Sequence, residues 1–269
     1  MADQLADAEN SIIQCDDNTI RAAFDWHLVR YGQRKRAWDT PYHITMWHRA
    51  QIAFGLGSQA DFDYVYEELR RRWQVFRGSS DYWTAEQTFT ALNACSPELR
   101  NRRLADLTPS DIPRLWEVLQ SVRDVKRTGS GSSTVAVSKF LHFWNPRLFV
   151  IVDDGVIWKW VLAHHWVWEP VRQMREVTDA AIFGRRQAHE DVTCDLGTYL
   201  AVLAWAGAFV RAHPQLPCCF ADYIQRHAGG TQLPSTIAEY DAVAIEWFLL
   251  GVVEIPPAGW TAKSDRRNS

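Results

Sequence analysis

The stretch TGSGSSTVAVSKFLHFWNPRLFVIVDDGV, residues 128–156, decides the fold. It runs from a glycine turn through an amphipathic segment and a proline-containing loop to a short apolar run, and ends on two adjacent aspartates. Only Leu148–Val152 looks like a strand, and five residues cannot support a sheet alone. The flanking segments have helical period, so the stretch predicts an all-α, multi-helix fold. The aspartates admit two readings. One of them can cap a helix that opens near Val156. A carboxylate delivered out of so apolar a run can equally be a buried catalytic acid.

Working outward, the period is helical almost throughout. In residues 61–76 the apolar positions Phe62, Val65, Leu69, Trp73 and Phe76 recur at steps of three and four. Arg70, Arg71 and Arg72 lie mainly off that stripe, either as a solvated face or as a contact to DNA. A start capped at Ser110, with Pro113 in the first turn, predicts a helix with Leu115, Trp116, Leu119 and Val122 inward, continuing to Lys126. Further helices are predicted over 20–31, 43–54, 83–95, 134–144, 156–164, 196–212 and 236–252. The last has a capping-box pattern of Thr236 and Glu239. The expected organisation is an acidic mobile tail over 1–19, a helical domain over 20–254 formed as one body or two lobes, and a loose tail over 255–269.

Composition narrows the function. The chain has 269 residues, 47% of them apolar and 23% charged, as in ordinary globular proteins. Its net charge of −3 is not that of a strongly basic nucleic-acid binder. Yet residues 1–19 hold five acids and no Lys or Arg, which leaves all 29 basic residues against 27 of the 32 acids in the rest. That balance permits DNA binding without indicating it. Fourteen tryptophans either fill the core or offer platforms to flat ligands such as bases. Five cysteines without C-x-x-C spacing read as reduced thiols, mostly in the core, and no metal or cofactor is expected. Without a signal-peptide pattern, and with no apolar-rich run longer than Leu196–Val210, the expectation is a cytoplasmic protein off the membrane. The sequence contains neither a G-x-S-x-G elbow nor a phosphate-binding G-x-x-x-x-G-K loop.

The turn itself offers a candidate phosphate grip. Gly129 and Gly131, with Ser130 between them, permit a tight reversal and leave the next helix N-terminus bare of side chains. Exposed N–H groups and the positive end of the dipole suit a phosphate there. Arg123, Lys126 and Arg127 precede the turn, and Lys139, on the helix after it, can contact the phosphate or pair with an acid across the helix interface. The bland reading is a tight αα connection.

The order of glycine hairpin, apolar helix, proline loop and Val-Asp resembles the helix-hairpin-helix DNA glycosylase superfamily, whose pattern is roughly L-P-G-V-G-x-K-T-A followed by V-D-T-H-V. Gly129-Ser130-Gly131 matches G-V-G, Thr134 matches the threonine, and Val152-Asp153-Asp154-Gly155-Val156 matches V-D-T-H-V. The phrase SKFLHFWNPRLF also looks like bacterial relatives with the same hairpin. The close resemblance spans about 30 residues. It implies a glycosylase-like fold, double-stranded DNA with one base flipped out as partner, and Asp153 as the catalytic carboxylate, with Asp154 as second choice. Ser133 stands where bifunctional members carry their Schiff-base lysine, which implies a monofunctional hydrolase or an inactive scaffold. Thr128 replaces the family's proline, Gly155 its histidine, and the iron–sulfur cysteines of some members are missing.

The implied chemistry needs few groups. Breaking a base–deoxyribose bond builds positive charge on the sugar, which a carboxylate stabilises while it orients water. The extruded base needs an aromatic pocket, for which Trp144, Trp158, Trp160 and Tyr199 are the candidates. Core packing is the alternative for each. His142 reads as a hydrogen-bonded packing residue, and the vicinal His164 and His165 as no metal site. Arg30, Arg34, Lys35 and Arg36 form the densest basic cluster, either following a DNA backbone or lying in a solvated loop. Two other functions stay open: a catalytically inactive DNA-binding or regulatory protein on the same scaffold, and a helical protein-interaction module.

Overall fold

The computed structural model describes residues 12, 14–32, 40–128, 131–153, 165–185, 187–189 and 193–252. Among them lie eleven α-helices: α1 (Asp17–Gly32), α2 (Thr40–Leu56), α3 (Gln59–Arg71), α4 (Ala85–Asn93), α5 (Pro97–Arg100), α6 (Ile112–Ser121), α7 (Thr134–Trp144), α8 (His165–Phe183), α9 (Leu196–Ala212), α10 (Leu216–His227) and α11 (Asp241–Val252). The fold is all-α.

Two helices organise the rest. α9 is buried from Leu196 to Val210 and α11 along its whole length. A helix that is apolar on every side must be covered on every side. α8, α6 and the turn at Leu104–Asp106 cover α9, α1 and α10 cover α11, and the two central helices touch each other. α2 links them to the remainder by packing on α3, α7 and α10. Buried apolar side chains from Ile12 to Val252 form one continuous cluster.

Local chemistry explains several boundaries. Ser58 caps α3, the predicted stripe residues Phe62, Val65 and Leu69 are buried on it, and Gln74, at φ 49°, turns the chain after it. Thr84 and Gln87 form a full capping box at α4. Asp195 caps α9 by accepting the Thr198 N–H at 2.8 Å. The predicted ranges 134–144 and 196–212 coincide with α7 and α9.

Elsewhere the structure corrects the reading. The cap of the segment before α6 is Thr108 rather than Ser110. It pairs with Asp111 around a 3-10 turn, and Asp111 is held by Arg102 at 2.9 Å. That helix stops at Ser121 and gives way to a 3-10 turn at Arg123–Val125. The glycine reversal is a two-residue β-ribbon, with Arg127 paired to Ser132 and Thr128 to Gly131, so the helices flanking it do not meet in a simple αα hairpin. α11 opens at Asp241, and Thr236 precedes a separate 3-10 turn without a side-chain cap bond. Of the expected N-terminal tail over 1–19, residues 12 and 14–19 are described and join the fold, while residues 1–11 and 13 lie outside the described residues. Ile12 is buried, the Cys15 N–H donates to His213 Nε2 at 3.0 Å, and Asp16 receives the Thr19 N–H as α1 begins. Periodicity alone does not reveal α8 and α10. Pro170 inside α8 breaks the pattern that marks helices, because it removes a ladder hydrogen bond. The expected helix over 156–164 and the tail over 255–269 lie outside the described residues.

The loop that leads to the site is stapled by side chains. Asn145 Nδ2 donates to Leu99 O at 2.7 Å and Arg102 O at 2.9 Å. The Leu104 N–H returns to Arg147 O, and Arg147 reaches Glu239 at 3.0 Å. Asp241, fully buried, takes two bonds from Arg103 and a third from the Ala105 N–H. This part of the fold is therefore pinned by polar groups that satisfy buried backbone.

Candidate active site

Leu148–Val152 is not a strand. It is a fully enclosed peptide without a backbone ladder, and side chains from other elements take over the hydrogen bonds that a sheet would supply. From α7, Ser138 accepts the Val152 N–H at 3.1 Å, and its own O–H faces Val135 O at 3.0 Å and Val152 O at 3.2 Å. His142 Nδ1 donates to Phe149 O at 2.8 Å. From α9, the Tyr199 hydroxyl donates to Val150 O at 2.8 Å. From α11, Glu246 lies against the Ile151 N–H. Three helices thus fix the short peptide that ends at Asp153. Ser138→Ala leaves the Val152 N–H buried without an acceptor. It is expected to cost about 1–2 kcal/mol in urea unfolding, with Asp153 less rigidly held.

Asp153 emerges from this scaffold with its side chain 41% exposed. Its Oδ2 lies 3.6 Å from Nζ of Lys139, a residue 6% exposed. The ammonium also stands over the Trp73 ring, 5.6 Å from its centroid. Trp73 extends the group by edge contacts to His43 and Phe143, and its indole N–H donates to Tyr42. His43 in turn meets Trp247 edge-on at 5.5 Å. The result is a cationic and an anionic group at the margin of a wall of large aromatic rings.

Behind them lies Glu246, 9% exposed, with Oε2 buried and lacking a hydrogen-bond partner. Burial pushes its carboxyl up to about 8, and nearby Asp153 adds to the rise while the Ile151 N–H and Lys139 oppose it. His142 Nδ1 is 3.9 Å away, but that proton is committed to Phe149 O. Burial also pushes His142 down to about 3 and His43 down to about 4. At neutral pH Glu246 and His142 therefore meet as neutral groups and not as an ion pair.

The structure distributes the sequence candidates unevenly. Asp153 and Lys139 come together at 3.6 Å, so of the two readings of Lys139, a phosphate contact or a pairing with an acid across the helix interface, the structure shows the second. Tyr199 and Trp144 are 0% and 4% exposed. Tyr199 supports the Asp153 peptide and Trp144 packs on Phe149, so neither offers a ring face to a base. The α7 N-terminus is not bare, because Ser133 accepts the Ala136 N–H. Lys126 donates to Val75 O at 3.0 Å and Arg77 O at 2.9 Å, tying the ribbon to that loop. Arg123 and Arg127 are exposed, and both address Asp124, at 3.6 and 3.1 Å, which reduces the local positive field. Gly131 pairs with Thr128 in the ribbon. Gly129, Ser130, Asp154, Trp158, Trp160, Arg34, Lys35 and Arg36, and the side chain of Arg30, lie outside the described residues.

Sequence reasoning missed Glu246, Trp73 and His43 as members of this cluster. Glu246 did carry a signal: it is the one charged residue in the interior of an otherwise apolar helix.

Among the described residues no three His, Cys, Asp or Glu side chains gather as metal ligands, and no helix is long and apolar enough to cross a membrane. All five cysteines are free, and Cys95 and Cys219 are the buried ones. Comparisons with protein-family models, with curated proteins and with solved structures found no match.

Proposed function

We propose that this chain is a cytoplasmic helix-hairpin-helix DNA-glycosylase-like protein, a monofunctional hydrolase of the bond between a damaged or modified base and its deoxyribose. Repair and defence against base-modified foreign DNA both fit this chemistry. The observation that carries the reading is the placement of Asp153: a half-exposed carboxylate on a peptide immobilised by three helices, beside a buried ammonium. A sugar that loses its base develops positive charge, and a fixed anionic oxygen lowers the energy of that state more than a mobile one, because no reorganisation is needed as the charge appears. The same oxygen can orient the attacking water. Lys139 holds the carboxylate in place, and Trp73 brings an aromatic ring to the same cluster. The motif order from Gly129 to Asp153 supports the family, and Ser133 in place of a Schiff-base lysine supports hydrolysis without strand cleavage.

The test is base release from a panel of duplexes carrying modified bases. Asp153→Asn keeps the shape and removes the charge, and is expected to slow release by about 100-fold or more. Release at the wild-type rate would remove Asp153 from the mechanism. Salt-dependent duplex binding without release from any duplex would favour the second reading, an inactive DNA-binding scaffold.

A further inference from the structure

His213 closes α9 and is completely enclosed, at 0% exposed. Both of its ring nitrogens are engaged. Nδ1 lies 2.8 Å from Phe209 O, and Nε2 receives the Cys15 N–H at 3.0 Å. A carbonyl oxygen only accepts and a backbone N–H only donates, so the two partners dictate where the ring proton sits. It is on Nδ1, and Nε2 presents its lone pair. The ring is also stacked on Phe209, with centroids 4.2 Å apart. The bond from Cys15 thus joins residues 12–16 to the far end of a helix that is buried from Leu196 to Val210.

A second proton on this ring finds no acceptor. It points at the Cys15 N–H, donor against donor, in a site closed to water. The charge it brings is not compensated either. Arg211 of α9 is turned to Ala105 O and Leu107 O, and Asp16 of the incoming segment to the Thr19 N–H. In α10 burial raises the Cys219 thiol and Asp222 faces Arg21, and in α11 Asp241 is held by Arg103. Burial pushes Glu246 up to about 8 and Cys15 up to about 12, so neither offers a charge at neutral pH. Burial lowers the proton affinity of the ring itself, and Phe209 O opposes that.

We propose that His213 and the Cys15 N–H form an acid-released latch, which holds the segment before α1 against the end of α9 while the ring is neutral and frees it when the ring takes a second proton. The segment yields rather than the helix, because α9 is packed on every side. Residues 14–16 are partly or fully exposed, and Ile12 is the buried apolar anchor of the segment. Since the bonded form is the neutral one, the latch is closed at and above the ordinary histidine range and opens as the pH falls below it. Opening takes Ile12 out of the core and leaves the helices standing. The latch operates whatever Asp153 does.

The experiment uses the full chain with ¹³C-methyl isoleucine and ¹⁵N-histidine, its signals assigned through Ile12→Val and His213→Gln. In the wild type at neutral pH, Nε2 of His213 is expected to resonate as a bare imidazole nitrogen and Nδ1 as a protonated one. On acidification to about pH 4.5, Nε2 should become protonated and the Ile12 methyl should move in step from its packed to its solvated position. The Ile44 methyl, buried in α2, should stay native over that range. Protection of the Cys15 amide from exchange should fall by about 10-fold or more. His213→Gln keeps an acceptor that takes up no proton, and its Ile12 methyl should stay packed throughout. His213→Ala removes the acceptor, and its Ile12 methyl should be released already at neutral pH. A wild-type ring with its proton on Nε2 at neutral pH overturns the proposal, whatever the variants do. So does an Ile12 methyl that leaves only together with Ile44, or that leaves at the same pH in His213→Gln.

Discussion

Glu246→Gln is expected to stabilise the fold by an amount that grows from about pH 5 to about pH 8 and then stays level. The carboxyl titrates near 4.5 when unfolded and is pushed up to about 8 in the fold. Between those values the unfolded chain releases the proton and the folded chain keeps it, so stability falls as pH rises through the window. Every pH unit that separates the folded from the unfolded value is worth about 1.4 kcal/mol, which makes the gain in Glu246→Gln several kcal/mol above pH 8 and small at pH 5. The glutamine oxygen still faces the Ile151 N–H, so little else changes. His43 and His142 work in the opposite sense. Their folded values are lowered, so the stability they carry is present above about pH 6.5 and is lost as pH falls towards 4 and 3. Two imidazoles outweigh one carboxyl on the acid side, and these three groups together put the stability maximum near pH 6.5. Urea unfolding of wild type and Glu246→Gln at several pH values reads this directly. A difference that is the same at pH 5 and pH 9 would show that Glu246 does not hold its proton in the fold.

The second large effect is steric. Gly251 of α11 passes so close to α1 that a methyl group there would sit inside the Ala23 carbonyl and its Cα. The obstacle is backbone in a buried helix, so no side-chain rotation relieves it. Gly251→Ala is expected to lower stability by about 3 kcal/mol or more, at or beyond the upper range for overpacked cores. Gly55 of α2 provides the control, because a methyl there meets nothing within 4 Å. Gly55→Ala is expected to be neutral or to stabilise by up to about 1 kcal/mol through helix propensity. Thermal unfolding of the two variants should move in opposite directions, and equal behaviour would mean that α1 and α11 do not cross at this point.

The two variants show how differently parts of the chain could be read beforehand. Periodicity and caps identify α3, α7 and α9, because stripe residues and cap hydroxyls are local in the sequence. α8 escapes the same reading through Pro170, and α10 through Pro217 and the vicinal cysteines, which interrupt the pattern without preventing the helix. The apolar run 148–152 was the most misleading element. Its composition is that of a strand, but with no partner strand among the described residues it is held by Ser138, His142, Tyr199 and Glu246, and no rule of spacing predicts a backbone satisfied by distant side chains. The candidate site divides in the same way. Asp153 stands out because a charge at the end of an apolar run is conspicuous. Glu246 and Trp73 belong beside it only because α11 and the segment after α3 are folded against α7.

By itself the sequence determined the helical class, the extent of the best-patterned helices and the oddity of the aspartates, since hydrophobic period, capping and turn chemistry act over a few residues. Only the tertiary structure decided that Lys139 meets Asp153, that Ser133 closes the α7 N-terminus, and that an acid from α11 lies near the pair. Those outcomes depend on burial and on charges brought together from remote segments. A residue's desolvation and its partners are properties of the packed chain and cannot be read from its neighbours in sequence.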